Sequence, residues 1–360
     1  MTEQSCVPLL SQPLVLRGVT VPNRIVVSPM CQYSATDGVP NSWHMQHLGS
    51  RAVGGAGLVF TEAAAVCAEG RISPQDAGIW NDAQAKAWRP IVDFIRSQGA
   101  VAGIQLAHAG FKASTHRPWD VESGAVATDA GGWDAVGPTS APFNDSYPVP
   151  RPLDAAGIAT VIEDFAAAAR RAVDTGFDVL EVHAAHGYLL HEFLSPLSNT
   201  RADSYGGNLE NRMRLALEVT RAVRAEVGGA VPLFVRISAT DWTSGGWTVE
   251  DSVVLARALV EAGADLIDCS SGGVVPKAEI PVGPGYQVPL AAQVRKEAGV
   301  LTGAVGMITE AEQAERILAD GHADLVLLAR ETLRDPYWPR RALASLGAEP
   351  QWPVQYERAF

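Results

Sequence analysis

Short, continuous runs of Val, Ile and Leu alternate along the chain with longer stretches whose apolar residues recur at helical spacing. The runs lie at 25–28, 58–62, 101–106, 179–183, 233–237, 266–269, 301–305 and 325–328, and predict eight strands. Unbroken apolar runs of this kind are expected of parallel strands covered on both faces. Helical spacing is clearest at 82–98, 153–175, 209–227, 248–262 and 309–320. Several of these stretches end at or near a glycine (Gly99, Gly176, Gly228, Gly263, Gly321), the residue that best tolerates the left-handed helix stop. Thr248 with Asp251 and Thr309 with Glu312 have the spacing of capping boxes.

Eight strand–helix units predict a single α/β domain over 1–360, a (β/α)8 barrel. A doubly wound sheet would need a Gly-rich turn after its first strand. The dense glycines Gly54, Gly55 and Gly57 instead precede a strand. Residues 8–24 read as a β-hairpin sealing the bottom of the barrel. The stretch 107–152, rich in Gly, Pro, Trp and Asp, is far longer than an ordinary loop and is expected to lie over the top face as a lid after strand three.

The 360 residues carry 28 basic and 40 acidic side chains, a formal charge of −12, which argues against nucleic acid as a partner. A local basic pocket for a small anion remains compatible with that balance. Cys6, Cys31, Cys67 and Cys269 form no C-x-x-C pair, so reduced thiols and a cytoplasmic location are expected. The N-terminal stretch has an acidic residue and two prolines and makes a poor signal peptide. No apolar run approaches the ~18 residues of a membrane span.

The working residues of such barrels follow the strands, on the C-terminal face. There the chain places Pro29-Met30-Cys31-Gln32-Tyr33, Glu62-Ala63, Gln105 with His108 and Lys112, and His183-Ala184-Ala185-His186-Gly187-Tyr188. Arg236, Ser270–Gly273, Gly303–Gly306 and Ala329-Arg330 complete the rim. Loops after strands seven and eight are the usual phosphate site of barrels, where backbone N–H groups face the anion and Arg330 would add charge-assisted bonds. Arg236 and Lys112 put positive charge near the pocket centre, as a bound anion that gains electrons would require. His183 and His186 invite a metal reading. The other strand ends offer Gln, Lys, Arg and Cys rather than further ligands, so no metal is expected and the imidazoles read as hydrogen-bond donors to a substrate oxygen. A metal-dependent hydrolase and a barrel that merely binds a phosphorylated ligand are the rival readings.

The segments SPMCQYSA (28–35), EAAAVCAEGRIS (62–73), GIQLAHAG (103–110), HAAHGYLLHEFLSPLSNTRADSYGGNLENR (183–212), FVRISATD (234–241), TGAVGMIT (302–309) and QYER (355–358) resemble the Old Yellow Enzyme family of flavin-dependent ene-reductases, in its bacterial thermophilic-like branch. The resemblance covers almost the whole chain. It implies a TIM barrel binding FMN, reduced by NADPH or NADH and oxidised by a small activated alkene. Ser28, Pro29, Met30 and Cys31 would line the flavin, with Ala63, Gln105 and Arg236 at its ring. Gly303, Gly306, Ala329 and Arg330 would hold the phosphate. His183 and His186 would grip the substrate oxygen, flanked by Tyr33 and by Tyr188, the proton donor. Two positions depart from the family pattern, Ala329 for a glycine and Phe111 for an arginine. A homodimer or homotetramer is implied, with Arg358 reaching into a neighbouring site.

Overall fold

A computed structural model describes residues 7–359; Cys6 and the first residues of the N-terminal stretch lie outside it. Eight parallel strands close into a barrel in chain order: β1 (Ile25–Val27), β2 (Leu58–Ala65), β3 (Val101–Ala107), β4 (Val179–Ala184), β5 (Leu233–Ser238), β6 (Leu266–Ser270), β7 (Thr302–Val305) and β8 (Leu325–Leu328). Every residue of these strands is buried. That is why the sequence shows them as unbroken apolar runs rather than alternations.

Eight principal helices follow the strands: α1 (Ser42–Val53), α2 (Asp82–Ser97), α3 (Ala155–Thr175), α4 (Leu209–Val227), α5 (Val249–Glu261), α6 (Val288–Ala298), α7 (Ala311–Ala319) and α8 (Trp338–Ser345). The expected Thr248–Asp251 box caps α5. The Thr309–Glu312 box does not form: α7 starts two residues later, and the Thr309 N–H donates to Gln313 Oε1 at 3.1 Å. No helix among the described residues is long and apolar enough to cross a membrane.

The outward side chains of the strands pack against the helices in one continuous core. The inward ones form layers. The lowest layer is apolar, built from Val26, Leu58, Phe60, Val101, Phe234 and Leu266 among others. Leu16 and Val21 belong to the same cluster and come from the antiparallel pair Leu14–Leu16 and Val19–Val21. The N-terminal hairpin thus plugs the barrel at the end where the strands begin. Residues 107–152 carry little regular structure, only short turns and a two-residue pairing of Val136–Gly137 with Arg151–Pro152.

Truncating Leu16 to Ala should therefore lower the unfolding free energy by about 2–4 kcal/mol, because the plug cannot collapse into the void. Thr20→Ala, on the exposed face of the same hairpin, should stay within about 0.5 kcal/mol. Urea unfolding of the two variants checks the difference; equal stabilities would show that the hairpin is not part of the core.

Candidate active site

Residues two apart on a strand face the same side. Above the apolar layer this rule turns Gln105, Glu181, Arg236 and Asp268 inward on four consecutive strands, each at most 5% exposed. Gln105 Nε2 donates to Glu181 Oε1 at 2.8 Å. Arg236 Nη1 donates to Ser28 Oγ at 3.0 Å. Arg236 Nε stands 3.1 Å from Asp268 Oδ2 but off the line of a hydrogen bond, which leaves both atoms without a directed partner. Burial raises both carboxyls. The nearby Asp268 charge pushes Glu181 further, to about 8, while Arg236 pulls both down. Glu181 therefore keeps its proton at neutral pH, and Asp268 balances Arg236. Gly303 lies beside Asp268 in this layer; a Cβ there would stand 2.5 Å from Leu327 Cδ1.

One step higher on β4, His183 faces the barrel mouth. Its Nδ1 accepts the Ala185 N–H at 3.2 Å, which assigns the ring proton to Nε2. The ring is nearly perpendicular to those of His186 (centroids 5.1 Å apart) and Tyr188 (5.0 Å). Burial first, then the Arg236 charge, holds both imidazoles well below the usual histidine range, so both are neutral. Burial pushes the Tyr188 phenol up.

His186 sits at φ +61°, a strained conformation for a residue other than glycine, and several contacts hold it there. Its N–H donates to Ser238 Oγ at 2.9 Å, and its Nε2 lies 2.7 Å from Ser270 Oγ. Its carbonyl accepts Lys112 Nζ at 2.7 Å, and the same ammonium reaches the Gly273 carbonyl at 2.5 Å. The turns after β4 and β6 interlock where no side chain would fit. A Cβ on Gly187 would stand 2.2 Å from the Gly273 oxygen, and one on Gly273 2.6 Å from His186 Cα. The Gly187 N–H donates to His191 Nδ1 at 2.8 Å, and His191 Nε2 faces the buried Asp241 carboxylate at 3.0 Å. Lys112 is thus a clamp on two loops rather than a free cation of the pocket. Burial lowers it to about 8.

Ser28, Pro29, Met30 and Cys31 leave β1 across the rim, pinned by the Gln32 N–H to Glu62 Oε2 bond of 3.0 Å. Burial, reinforced by Asp76 and Glu62, pushes the Cys31 thiol well up, so it is not a thiolate. Tyr33, also at positive φ (+49°), meets Trp119 of the long 107–152 segment edge-on at 5.5 Å. Phe143 of that segment lies 4.2 Å from Lys112 Nζ. Ala63 follows a bulge in β2 and pairs with Gln105.

The ends of β7 and β8 border a cavity of about 260 Å³ lined by Ser270, Gln287, Gly306, Ala329 and Arg330 among others. Gly306 (φ +123°) has Gln287 Nε2 2.8 Å from where a Cβ would be. Gly303 does not border this cavity but faces the barrel interior, one layer deeper. Ala329, at φ −105°, needs no glycine. Arg330 opens the short helix Arg330–Arg334 with its side chain exposed.

At the other departure, Phe111 is buried against Phe143, and its N–H donates to Glu192 Oε1 at 2.9 Å. Burial raises the Glu192 carboxyl well above its usual range, against the opposing Phe111 N–H bond and Lys112 charge. Arg358 is exposed in the terminal turn Glu357–Ala359. Among the described residues no three His, Cys, Asp or Glu side chains gather as a metal would require. The strand-end residues were legible in the sequence. Glu181, Asp268 and the His191–Asp241 pair are not among them, although polar residues at alternate positions of apolar strands are the signal of the first two.

A family model for the NADH:flavin oxidoreductase / NADH oxidase family matches residues 9–349. The chain is 48% identical over 354 residues to an NADPH dehydrogenase of Geobacillus thermodenitrificans, covering 98% of each. It resembles the solved structure of morphinone reductase with a TM-score of 0.80 at 28% identity, covering 97% of this chain and 92% of that one. It also resembles an Old Yellow Enzyme homologue of Zymomonas mobilis, with a TM-score of 0.78 at 28% identity, covering 94% and 93% of the two chains. The chain therefore belongs to the NADH:flavin oxidoreductase / NADH oxidase family and is an FMN-dependent, nicotinamide-reduced oxidoreductase of the Old Yellow Enzyme type.

Proposed function

We propose that the chain is an ene-reductase, reducing the activated C=C bond of α,β-unsaturated ketones, aldehydes, imides or nitroalkenes at the expense of NADPH or NADH. The observation that carries this reading is the pair of neutral, mutually perpendicular imidazoles, His183 and His186, above a buried guanidinium.

The residues fit FMN. The cavity between β7 and β8 has the wall a phosphate takes, with Gly306 and Ala329 giving backbone and Arg330 giving charge. Gly303 serves by close packing beneath it. Ser28, Pro29, Met30, Cys31, Ala63 and Gln105 would face the ring. Arg236, whose buried Nε–H lacks a directed partner, would set positive charge against it. When bound, FMN supplies the redox chemistry, taking a hydride from the nicotinamide and delivering it to the β-carbon of the acceptor.

The protein's part is electrostatic. His183 donates from Nε2. The Ser270 hydroxyl lies 2.7 Å from His186 Nε2 and 3.5 Å from Gln287 Oε1, which also accepts Ser271 Oγ at 2.5 Å; donation over the shorter contact, to His186 Nε2, leaves the proton of that ring on Nδ1. Two neutral donors thus converge on the acceptor's oxygen without depending on pH in the neutral range. Each donor aimed at a developing enolate contributes about 3 kcal/mol. Tyr188, packed on His183, gives a proton to the α-carbon, and Tyr33 flanks the acceptor. The rival hydrolase reading lacks a third clustered ligand among the described residues. In a dimer or tetramer, Arg358 would extend from the exposed terminal turn of one subunit into the site of the next.

Replacing His183 or His186 with Ala should slow reduction of cyclohex-2-enone by ~10²-fold or more while flavin stays bound. Near-normal turnover in both variants would discard the anchoring role. Cys31→Ala should shift the flavin reduction potential, measured by dye-coupled titration; an unaltered potential leaves Cys31 to packing alone. Sedimentation velocity should give a multiple of the 38.1 kDa chain mass, and a purely monomeric boundary would remove Arg358 from the site.

A further inference from the structure

Asp76 lies on the loop between β2 and α2, 2% exposed, and none of the roles above uses it. Its carboxylate is fully engaged on one side: Oδ2 accepts the Ile72 N–H at 2.7 Å, and Oδ1 accepts the Ser73 N–H at 3.2 Å and the Ser73 hydroxyl at 2.8 Å. On its other side Asp76 borders a small void of about 10 Å³ that Tyr188 also lines. The remaining wall is Ala63, Ala65, Gly70, Ile72, Ala107 and Ala109, so Asp76 and Tyr188 are its only polar side chains. A space of that size holds about one water molecule, and a buried water needs two or more polar partners. Asp76 and Tyr188 are the two side chains of that wall able to bond such a water.

We propose that Asp76 resupplies Tyr188 with its proton through one bridging water. The inference rests on the reading of Tyr188 as the proton donor to the α-carbon. Reduction of the C=C bond consumes one hydride, which comes from the nicotinamide by way of bound FMN, and one proton. As the α-carbon gains its C–H bond, the Tyr188 O–H bond breaks and leaves a phenolate. An O–H bond of the water breaks as the phenol is restored. The Asp76 carboxyl O–H then breaks as the water is made whole, leaving a carboxylate that takes its proton back from solvent.

The surroundings suit such a relay. A phenolate at Tyr188 is strongly disfavoured by burial, so it must be quenched before the next turnover. The titratable groups that share a charge interaction with Asp76 are Glu62 from β2, Cys31 and Tyr33 after β1, Tyr188 after β4 and Arg71 on its own loop. Burial and the Glu62 charge push Asp76 up to about 7, against the opposing bonds from Ile72 and Ser73. The carboxyl is therefore protonated below neutral pH and loses its proton above it. The ability to donate is present on the acid side and fades on the alkaline side.

The test is stopped-flow reoxidation of NADPH-reduced holoenzyme by cyclohex-2-enone between pH 5.5 and 9, with ferricyanide as an acceptor that needs no proton on carbon. In the wild type the enone step should fall off with an inflection near pH 7, while the ferricyanide step stays flat. Ser73→Ala, which removes a bond favouring the carboxylate, should move the inflection up by about one pH unit. Asp76→Asn should abolish it and slow the enone step at pH 6 by about 10-fold or more. An inflection that persists in Asp76→Asn, or one that stays in place in Ser73→Ala, overturns the role of Asp76 and leaves alkene reduction intact. A wild-type enzyme that passes electrons to ferricyanide but not to the enone overturns the ene-reductase reading and this proposal with it.

Discussion

A guanidinium in the middle of a closed barrel has to be balanced, and the balance of Arg236 organises everything above it. Asp268 on the adjacent strand supplies the opposite charge, Ser28 takes one N–H, and Glu181, protonated by burial, joins the layer without adding a second negative charge. Removing one member of a buried pair costs about 3–5 kcal/mol, because the other charge is left uncompensated. The arrangement is tolerable since the hairpin closes the barrel below with an apolar plug, so the polar layer opens to the rim alone. Burial first, and then the positive charge this leaves beneath the mouth, keep the imidazoles above it neutral.

The rim is rigid for a different reason. Lys112 spends its charge on two backbone carbonyls, one from the β4 turn and one from the β6 turn, and the facing glycines let those turns approach to contact. His191, buried against Asp241, holds the same turn from behind. His186 is thereby kept at a backbone conformation it would not adopt alone. Strain at a site is sustained when the surroundings over-determine it, and here three loops do so.

Much of this was legible in the sequence. The eight strands appear within a few residues of their observed limits, because burial on both faces leaves an unambiguous run of apolar residues. The strand-end residues follow from the architecture, since a barrel has one face where polar groups can converge. α1 was not legible: its inward face carries His44, His47 and Arg51, so its pattern is not amphipathic in the usual sense. α6 and α8 are short and open with Pro at their first turn. Lys112 was read as a pocket cation because sequence spacing brings it to the rim without telling which way the side chain turns. His191 and Asp241 are distant in sequence, and only the closed fold brings the two together behind the site.

The central claim is that the barrel mouth holds a flavin that carries electrons from a nicotinamide to an acceptor anchored by His183 and His186. Its most direct measurement is an anaerobic absorption titration of the purified chain supplied with FMN. The account predicts a protein-bound visible flavin band that NADPH bleaches and that cyclohex-2-enone restores. Protein that stays colourless in excess FMN, or a band that NADPH leaves untouched, would contradict it.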